Sequence, residues 1–113
     1  MVTPQVIAEF FDVTTRSAGR VPPLLSRAAA TSVAYDLLAS CRCLDVTPLT
    51  TAAALNRAVN SQMRIFDAQI WAAARLNGIE TILSEDTQGR PVIEGVWYVN
   101  PFATGFRLAQ LGL

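Results

Sequence analysis

The chain has 113 residues, of which 51% are apolar and 16% are charged, a composition that suits one folded domain and excludes a disordered segment. Nine arginines balance nine acidic residues, so the net charge does not indicate a nucleic-acid partner. Histidine and lysine are absent. Their absence excludes sites that need a Ser-His-Asp triad, a Cys-His pair, a lysine Schiff base or a P-loop lysine.

Cysteine content and hydropathy indicate the cellular location to expect for the protein. Cys41 and Cys43, the two cysteines, cannot complete a four-ligand zinc site without histidine, and we expect reduced thiols. The sequence has no apolar run long enough for a membrane span, and its first residues show no secretion signal. We therefore expect a cytoplasmic protein that has no membrane partner.

Apolar residues at helical spacing predict three helices in the first half of the chain. Thr3 is the expected N-cap of the first, with a proline in its first turn. A second amphipathic helix is expected over residues 24–40. The third is expected to start at a cap formed by Thr50 or Thr51 and to end near Asn60.

The fourth predicted helix covers about residues 64–77. Its centre, residues 68–74, is apolar on nearly all sides, which predicts a mostly buried helix. Asn77 and Gly78 form a typical left-handed C-cap signal, so the helix is expected to end there.

Short runs rich in β-branched and aromatic residues predict three strands, at residues 43–46, 81–84 and 96–99. A turn is expected at residues 88–91. Helices between apolar strands predict an α/β fold whose parallel sheet is covered on both faces. Because the chain opens directly on a helix, the sheet is expected to lack a first strand.

Three carboxylates occupy positions where chemistry is expected. Asp86 follows the strand at residues 81–84, Asp67 lies in the first turn of the buried helix, and Glu9 lies in an apolar stretch of the first helix. Carboxylates that converge repel one another unless a cation neutralises them, and oxygen ligands suit Mg²⁺ or Mn²⁺. Such a metal can activate water and stabilise charge on a phosphate.

Each of these acids also has an ordinary structural interpretation. Asp67 would complement the dipole of its helix, Asp86 would be a turn residue, and Glu9 would lie on a solvated helix edge. The residues themselves leave both interpretations open.

The segments at residues 2–10, 65–74, 83–86 and 93–102, taken in order along the chain, resemble motifs of PIN-domain ribonucleases. Residues 65–74 (IFDAQIWAAA) resemble the buried helix of that family, and residues 83–86 (LSED) resemble the end of its fourth strand. Residues 2–10 (VTPQVIAEF) resemble its second strand and the helix that follows. Residues 93–96 and 99–102 resemble its last strand. Within the family, the chain is most similar to the VapC-type toxin branch.

The resemblance implies a three-layer α/β/α fold with a parallel sheet, and a metal site for one or two Mg²⁺ or Mn²⁺ ions. Glu9, Asp67 and Asp86 match three of the four acids that bind the metal in the family, and by resemblance they are the catalytic ligands. Ser84 is a secondary candidate that would orient a ligand or the substrate. The implied substrate is RNA, hydrolysed at a phosphodiester.

Three further residues near these motifs deserve weaker assignments. Glu85 and Glu94 are possible site acids, each of which is more often solvated or structural. Arg64 stands where many relatives have a small residue, a departure that would alter the rim of the site.

The largest departure from the family is the missing first strand. The "D-x-N" segment that carries the first metal-ligating aspartate is nowhere in this sequence. The resemblance therefore implies a single domain over residues 1–113 that lacks its central strand and one ligand. We expect exposed backbone on the strands beside the gap, and marginal stability.

Three functions follow from these expectations. The first is a metal-dependent ribonuclease, the toxin of a type II toxin–antitoxin pair, with an antitoxin protein as partner and a homodimer as its assembly. The second is a non-catalytic remnant of the family that acts as a protein-interaction module. The third is an unrelated α/β domain whose acids are ordinary surface residues.

Overall fold

The computed structural model describes residues 1–86 and 91–111. The chain divides into two compact units, Met1–Val46 and Thr47–Leu113. The first unit is helical and the second is mixed α/β, so the α/β class that the sequence predicted is confirmed at this level.

The N-terminal unit contains two helices, α1 (Pro4–Thr15) and α2 (Arg27–Ser40). Thr3 caps α1 as predicted, because its Oγ1 accepts a hydrogen bond from the backbone N–H of Val6 at 3.2 Å. The second helix begins later than predicted, at a Ser26 cap. The backbone N–H of Leu25 donates to the carbonyl of Thr14 at 2.9 Å, and this contact keeps the preceding residues outside the helix.

The strand predicted at residues 43–46 is reduced to a single parallel bridge between Val2 and Cys43. Val2 donates to the carbonyl of Arg42 at 3.0 Å and accepts from the N–H of Leu44 at 2.8 Å. The predicted strand is therefore wrong in extent. Its partner Val2 is followed at once by the cap of α1, so the pairing does not extend past Val2 in that direction.

Helix α3 (Pro48–Asn60) opens the C-terminal unit and is capped by Thr47. Thr47 Oγ1 accepts from the N–H of Thr50 at 3.2 Å, and Thr50 Oγ1 accepts from the N–H of Thr47 at 3.4 Å. The predicted caps, Thr50 and Thr51, are wrong by one turn. Proline is favoured at the first helical position, so Pro48 moves the cap to the residue before it.

Helix α4 (Ile65–Leu76) is the buried helix that the sequence predicted, since Ala68 and four of the six residues that follow it are buried. It ends where expected: Gly78 has φ +68°, in the left-handed region, and Ile79 donates to the carbonyl of Ala74 at 2.9 Å. The packing of α4 on α3 and on the sheet accounts for its burial.

The sheet of the C-terminal unit has three strands, β1 (Thr81–Leu83), β2 (Val92–Ile93) and β3 (Val96–Val99), in the order β1-β3-β2. Strands β1 and β3 are parallel, whereas β2 and β3 are antiparallel. The prediction of an all-parallel sheet is therefore wrong. Glu94 and Gly95 both have positive φ, which favours a two-residue hairpin turn and reverses the chain between β2 and β3.

Of the three predicted strands, those at residues 81–84 and 96–99 correspond to β1 and β3, and β2 was not predicted as a separate strand. The turn predicted at residues 88–91 lies outside the described residues except for Pro91. A short 3₁₀ helix, Leu108–Leu111, closes the described chain. In the part of the chain that the structure describes, no helix has both the length and the apolarity that a membrane crossing requires.

The core of the C-terminal unit lies between the helices and one face of the sheet. Trp71 of α4 packs there with Ile93, Val96 and Tyr98. On the other face, the side chains of Leu83 and Trp97 are 51% and 52% exposed. Covering of both faces, as the sequence predicted, is therefore not found among the described residues of this unit.

Arg57 of α3 connects two elements of this core. Its guanidinium lies over the ring of Trp71, 4.4 Å from the centroid, and its Nη2 contacts Glu94 Oε2 at 2.8 Å in the hairpin turn. The Arg57 side chain is 14% exposed and that of Glu94 is 59% exposed. Desolvated cation–π contacts contribute more than exposed ion pairs, so we infer that the ring contact dominates.

We predict that Arg57→Ala lowers the free energy of unfolding by about 1–2 kcal/mol, measured by urea denaturation. Glu94→Gln is expected to cost less than about 1 kcal/mol, because that partner is largely solvated. Arg16→Ala is the matched control, since it removes an exposed pair with Asp12 at 3.5 Å. Equal effects of Arg57→Ala and Arg16→Ala would contradict a dominant Trp71 contact.

Candidate functional site

Two of the predicted site acids, Asp67 and Asp86, belong to the C-terminal unit. Asp67 lies in the first turn of α4, and Asp86 comes three residues after the end of β1. The N–H of Asp86 donates to Ser84 Oγ at 3.1 Å, and the N–H of Ser84 donates to the carbonyl of Val99 at 3.0 Å. The turn that carries Asp86 is therefore held to the end of the sheet by Ser84.

The pKa of Tyr98 depends on both carboxylates. Its side chain is buried in the middle of β3, with its Cα opposite that of Ile82 in β1. The pKa of Tyr98 is raised to about 12: burial is the largest cause, Asp67 also raises it, Arg57 lowers it, and Asp86 raises it. Both carboxylates of this unit therefore contribute to the raised pKa of the same phenol.

Sequence reasoning assigned Tyr98 to the core and missed this position. The ring is indeed buried, but its hydroxyl lies within the electrostatic reach of two candidate ligands. The alternation of side chains along the strands could have indicated this position. It places Tyr98 on the same sheet face as Ile82, the β1 residue that lies four positions before Asp86 in the chain. Strand pairing was needed to use that signal, because it sets which residues of β3 stand beside β1.

Glu9 lies in α1, in the N-terminal unit, and is exposed. Its Oε1 accepts a hydrogen bond from Gln5 Nε2 at 2.8 Å, a pair one helical turn apart. Residues 1–86 and 91–111 contain no group of three or more His, Cys, Asp or Glu side chains arranged to hold a metal ion. Of the three predicted ligands, Asp67 and Asp86 thus belong to the C-terminal unit and Glu9 belongs to the N-terminal unit.

The weaker candidates also have definite positions. Glu94 is engaged by Arg57 in the hairpin turn, which is the structural role the sequence left open. Glu85 is exposed beside Asp86, and Arg64 immediately precedes α4 without a side-chain capping bond. Cys41 and Cys43 are free thiols, as expected for a reduced protein.

The candidate donors of the C-terminal unit are all oxygen atoms, the ligand type that Mg²⁺ takes. Asp67 and Asp86 supply carboxylate oxygens, and Ser84 supplies a hydroxyl that already accepts from the Asp86 N–H. Mg²⁺ is commonly bound through one or two carboxylates, with water and substrate phosphate oxygens completing its coordination.

We predict that Tyr98 titrates at a pKa of about 12 and that neutralising Asp67 lowers this pKa. Asp67→Asn removes a negative charge that opposes formation of the phenolate, and Asp86→Asn acts in the same direction. The measurement is ultraviolet absorbance in a Tyr35→Phe background, which leaves Tyr98 as the single tyrosine. Circular dichroism on the same samples follows the fold through the titration.

The control for this titration is Asp36→Asn, which changes a carboxylate that does not act on Tyr98. A pKa near 10, or a pKa unchanged by both site variants, would contradict the described arrangement of the two acids.

Comparison of the chain with models of known protein families, with curated proteins and with solved structures gave no match. The likeness to PIN-domain ribonucleases therefore rests on the four sequence segments alone.

Proposed function

We propose that this chain is a metal-dependent ribonuclease that hydrolyses RNA phosphodiesters, and that it serves as the toxin of a type II toxin–antitoxin pair. The observation that carries the proposal is that Asp67 and Asp86 both raise the pKa of the buried Tyr98, together with the position of Asp86 just after the carboxyl end of β1. Ligand sites of parallel α/β sheets form at this end of the strands. The family resemblance assigns metal ligands to the same two acids.

Asp67 and Asp86 would hold the Mg²⁺ or Mn²⁺ ion, and the resemblance assigns Glu9 as a further ligand. When bound, the metal supplies an activated water and neutralises charge on the phosphate. Ser84 positions the Asp86 turn through its Oγ, so its contribution is to hold a ligand in place.

Tyr98 contributes a hydrogen-bond donor to this site. Because its pKa is raised to about 12, the phenol stays protonated at neutral pH and cannot act there as a general base. Its O–H can donate to a carboxylate or to a phosphate oxygen. Since the chain has no histidine or lysine, the proton for the leaving oxygen must come from water or from a carboxylic acid.

We predict that Asp67→Asn and Asp86→Asn each reduce Mg²⁺-dependent cleavage of a labelled single-stranded RNA by at least about 100-fold, given the cost of altering metal sites. Both substitutions keep side-chain volume, so the thermal unfolding transition is expected to stay near that of the unaltered chain. Glu9→Gln is measured in parallel, and Asp36→Asn is the control that should cleave normally.

Binding of Mn²⁺, followed by its effect on water relaxation, gives a readout that does not need cleavage. Each of the two site variants is expected to weaken it. Wild-type cleavage rates in both variants would reject the assigned roles, and a chain that neither binds Mn²⁺ nor cleaves RNA would reject the ribonuclease.

The second candidate is a protein-interaction module without catalysis. It is favoured by the sheet of the C-terminal unit, where β1 is an edge strand and the side chains of Leu83 and Trp97 are about half exposed. Light scattering tests the simplest partner, a second copy of the chain, which would double the mass in solution.

A further inference from the structure

The outer edge of β1 has backbone groups that β3 does not use. The carbonyl of Glu80 accepts from Trp97 at 2.7 Å and the N–H of Ser84 donates to Val99 at 3.0 Å, so the even-numbered residues face β3. In a strand of a parallel pair, the backbone N–H and C=O groups of alternate residues point to opposite edges of the strand. The N–H and C=O groups of Thr81 and Leu83 therefore point outward, and the described residues give them no backbone partner.

An apolar surface lies next to this edge. Thr81 pairs in register with Trp97, and Leu83 pairs with Val99, so these side chains share the sheet face opposite the core. Leu83 is 51% exposed and Trp97 is 52% exposed. A strand added beside β1 would place every second side chain on this face, against Leu83.

Negative charge marks both ends of β1. Glu80 precedes the strand, Glu85 and Asp86 follow it, and all three are exposed. Neither Glu80 nor Glu85 forms an ion pair with a described residue. Two copies of β1 paired edge to edge would bring these acids close together, which disfavours self-pairing. A strand with basic ends would instead be attracted.

We propose that the open edge of β1 binds an extended peptide segment of a partner protein, apolar at alternate central positions and basic at both ends. Backbone hydrogen bonds to Thr81 and Leu83 would provide the affinity, and the acids at the strand ends would select the partner. The inference deepens the interaction-module candidate and rests on it; it does not depend on the hydrolytic site.

The test titrates the isotope-labelled full chain with the blocked peptide Lys-Val-Thr-Ile-Thr-Val-Lys and follows amide hydrogen exchange by NMR. Exchange at the Thr81 and Leu83 amides is expected to slow by at least about 10-fold at saturation, because these donors become hydrogen-bonded. Exchange at Ile82, which already faces β3, is expected to change little. The indole signal of Trp97 is expected to shift.

Two control peptides test separately how backbone hydrogen bonds and charges contribute to binding, with the protein unaltered. A peptide N-methylated at alternate residues cannot form the ladder, and it should not protect Thr81 or Leu83. A peptide with glutamate in place of both lysines should bind at least about 10-fold more weakly, a difference of about 1.4 kcal/mol. Glu80→Lys combined with Glu85→Lys should reverse this preference.

Three outcomes would overturn the proposal. Equal binding of the basic and acidic peptides would show that the acids do not select the partner. Thr81 and Leu83 amides that stay unprotected would show that the peptide does not pair with the edge of β1. Loss of peptide binding in Asp67→Asn would mean that the lysines bind the candidate metal site. Edge protection without peptide, together with a doubled mass by light scattering, would identify a second copy as the occupant. Failure of RNA cleavage alone leaves all these readouts unchanged.

Discussion

The buried indole of Trp71 is the contact on which the C-terminal unit depends. Its Nε1 donates to the carbonyl of Ile93 at 3.2 Å, so the polar atom of a large buried side chain is satisfied by the backbone of β2. Its ring face is covered by Arg57, whose guanidinium also contacts Glu94. One side chain of α4 thereby joins α3, the hairpin and the core, and removing any of its partners would expose apolar ring surface.

The packing of Trp71 also helps to position two residues of the candidate site, Asp67 and Tyr98. Asp67 lies one turn before Trp71 on the same helix, so the packing that holds the indole also sets the position of this carboxylate. The hairpin held by Arg57 continues into β3, which carries Tyr98. Arg57 also lowers the pKa of Tyr98, against the burial and the two aspartates that raise it. Arg57 therefore opposes the two aspartates in their effect on the pKa of this phenol.

The same small sheet offers two surfaces of different character. At one surface, Asp86 follows the carboxyl end of β1 and, with Asp67, raises the pKa of Tyr98; this is the proposed site for a cation and a phosphate. Along the outer edge of β1, unused backbone groups lie beside the half-exposed side chains of Leu83 and Trp97, a surface that suits another strand. Edge strands are ordinarily protected, and the shortness of β1, at three residues, limits unwanted pairing.

The sequence by itself determined the features set by local chemistry: the Thr3 cap, the buried helix with its end at Gly78, and the strands β1 and β3. It also identified the acids at the start of α4 and after β1, because position along a helix or strand is a local property. The antiparallel β2, the single bridge that replaced the strand at residues 43–46, and the electrostatic position of Tyr98 were decided by tertiary structure. Strand direction and pairing depend on which segments meet in space, and a pKa depends on every charge around the group; neither can be read from spacing along one chain.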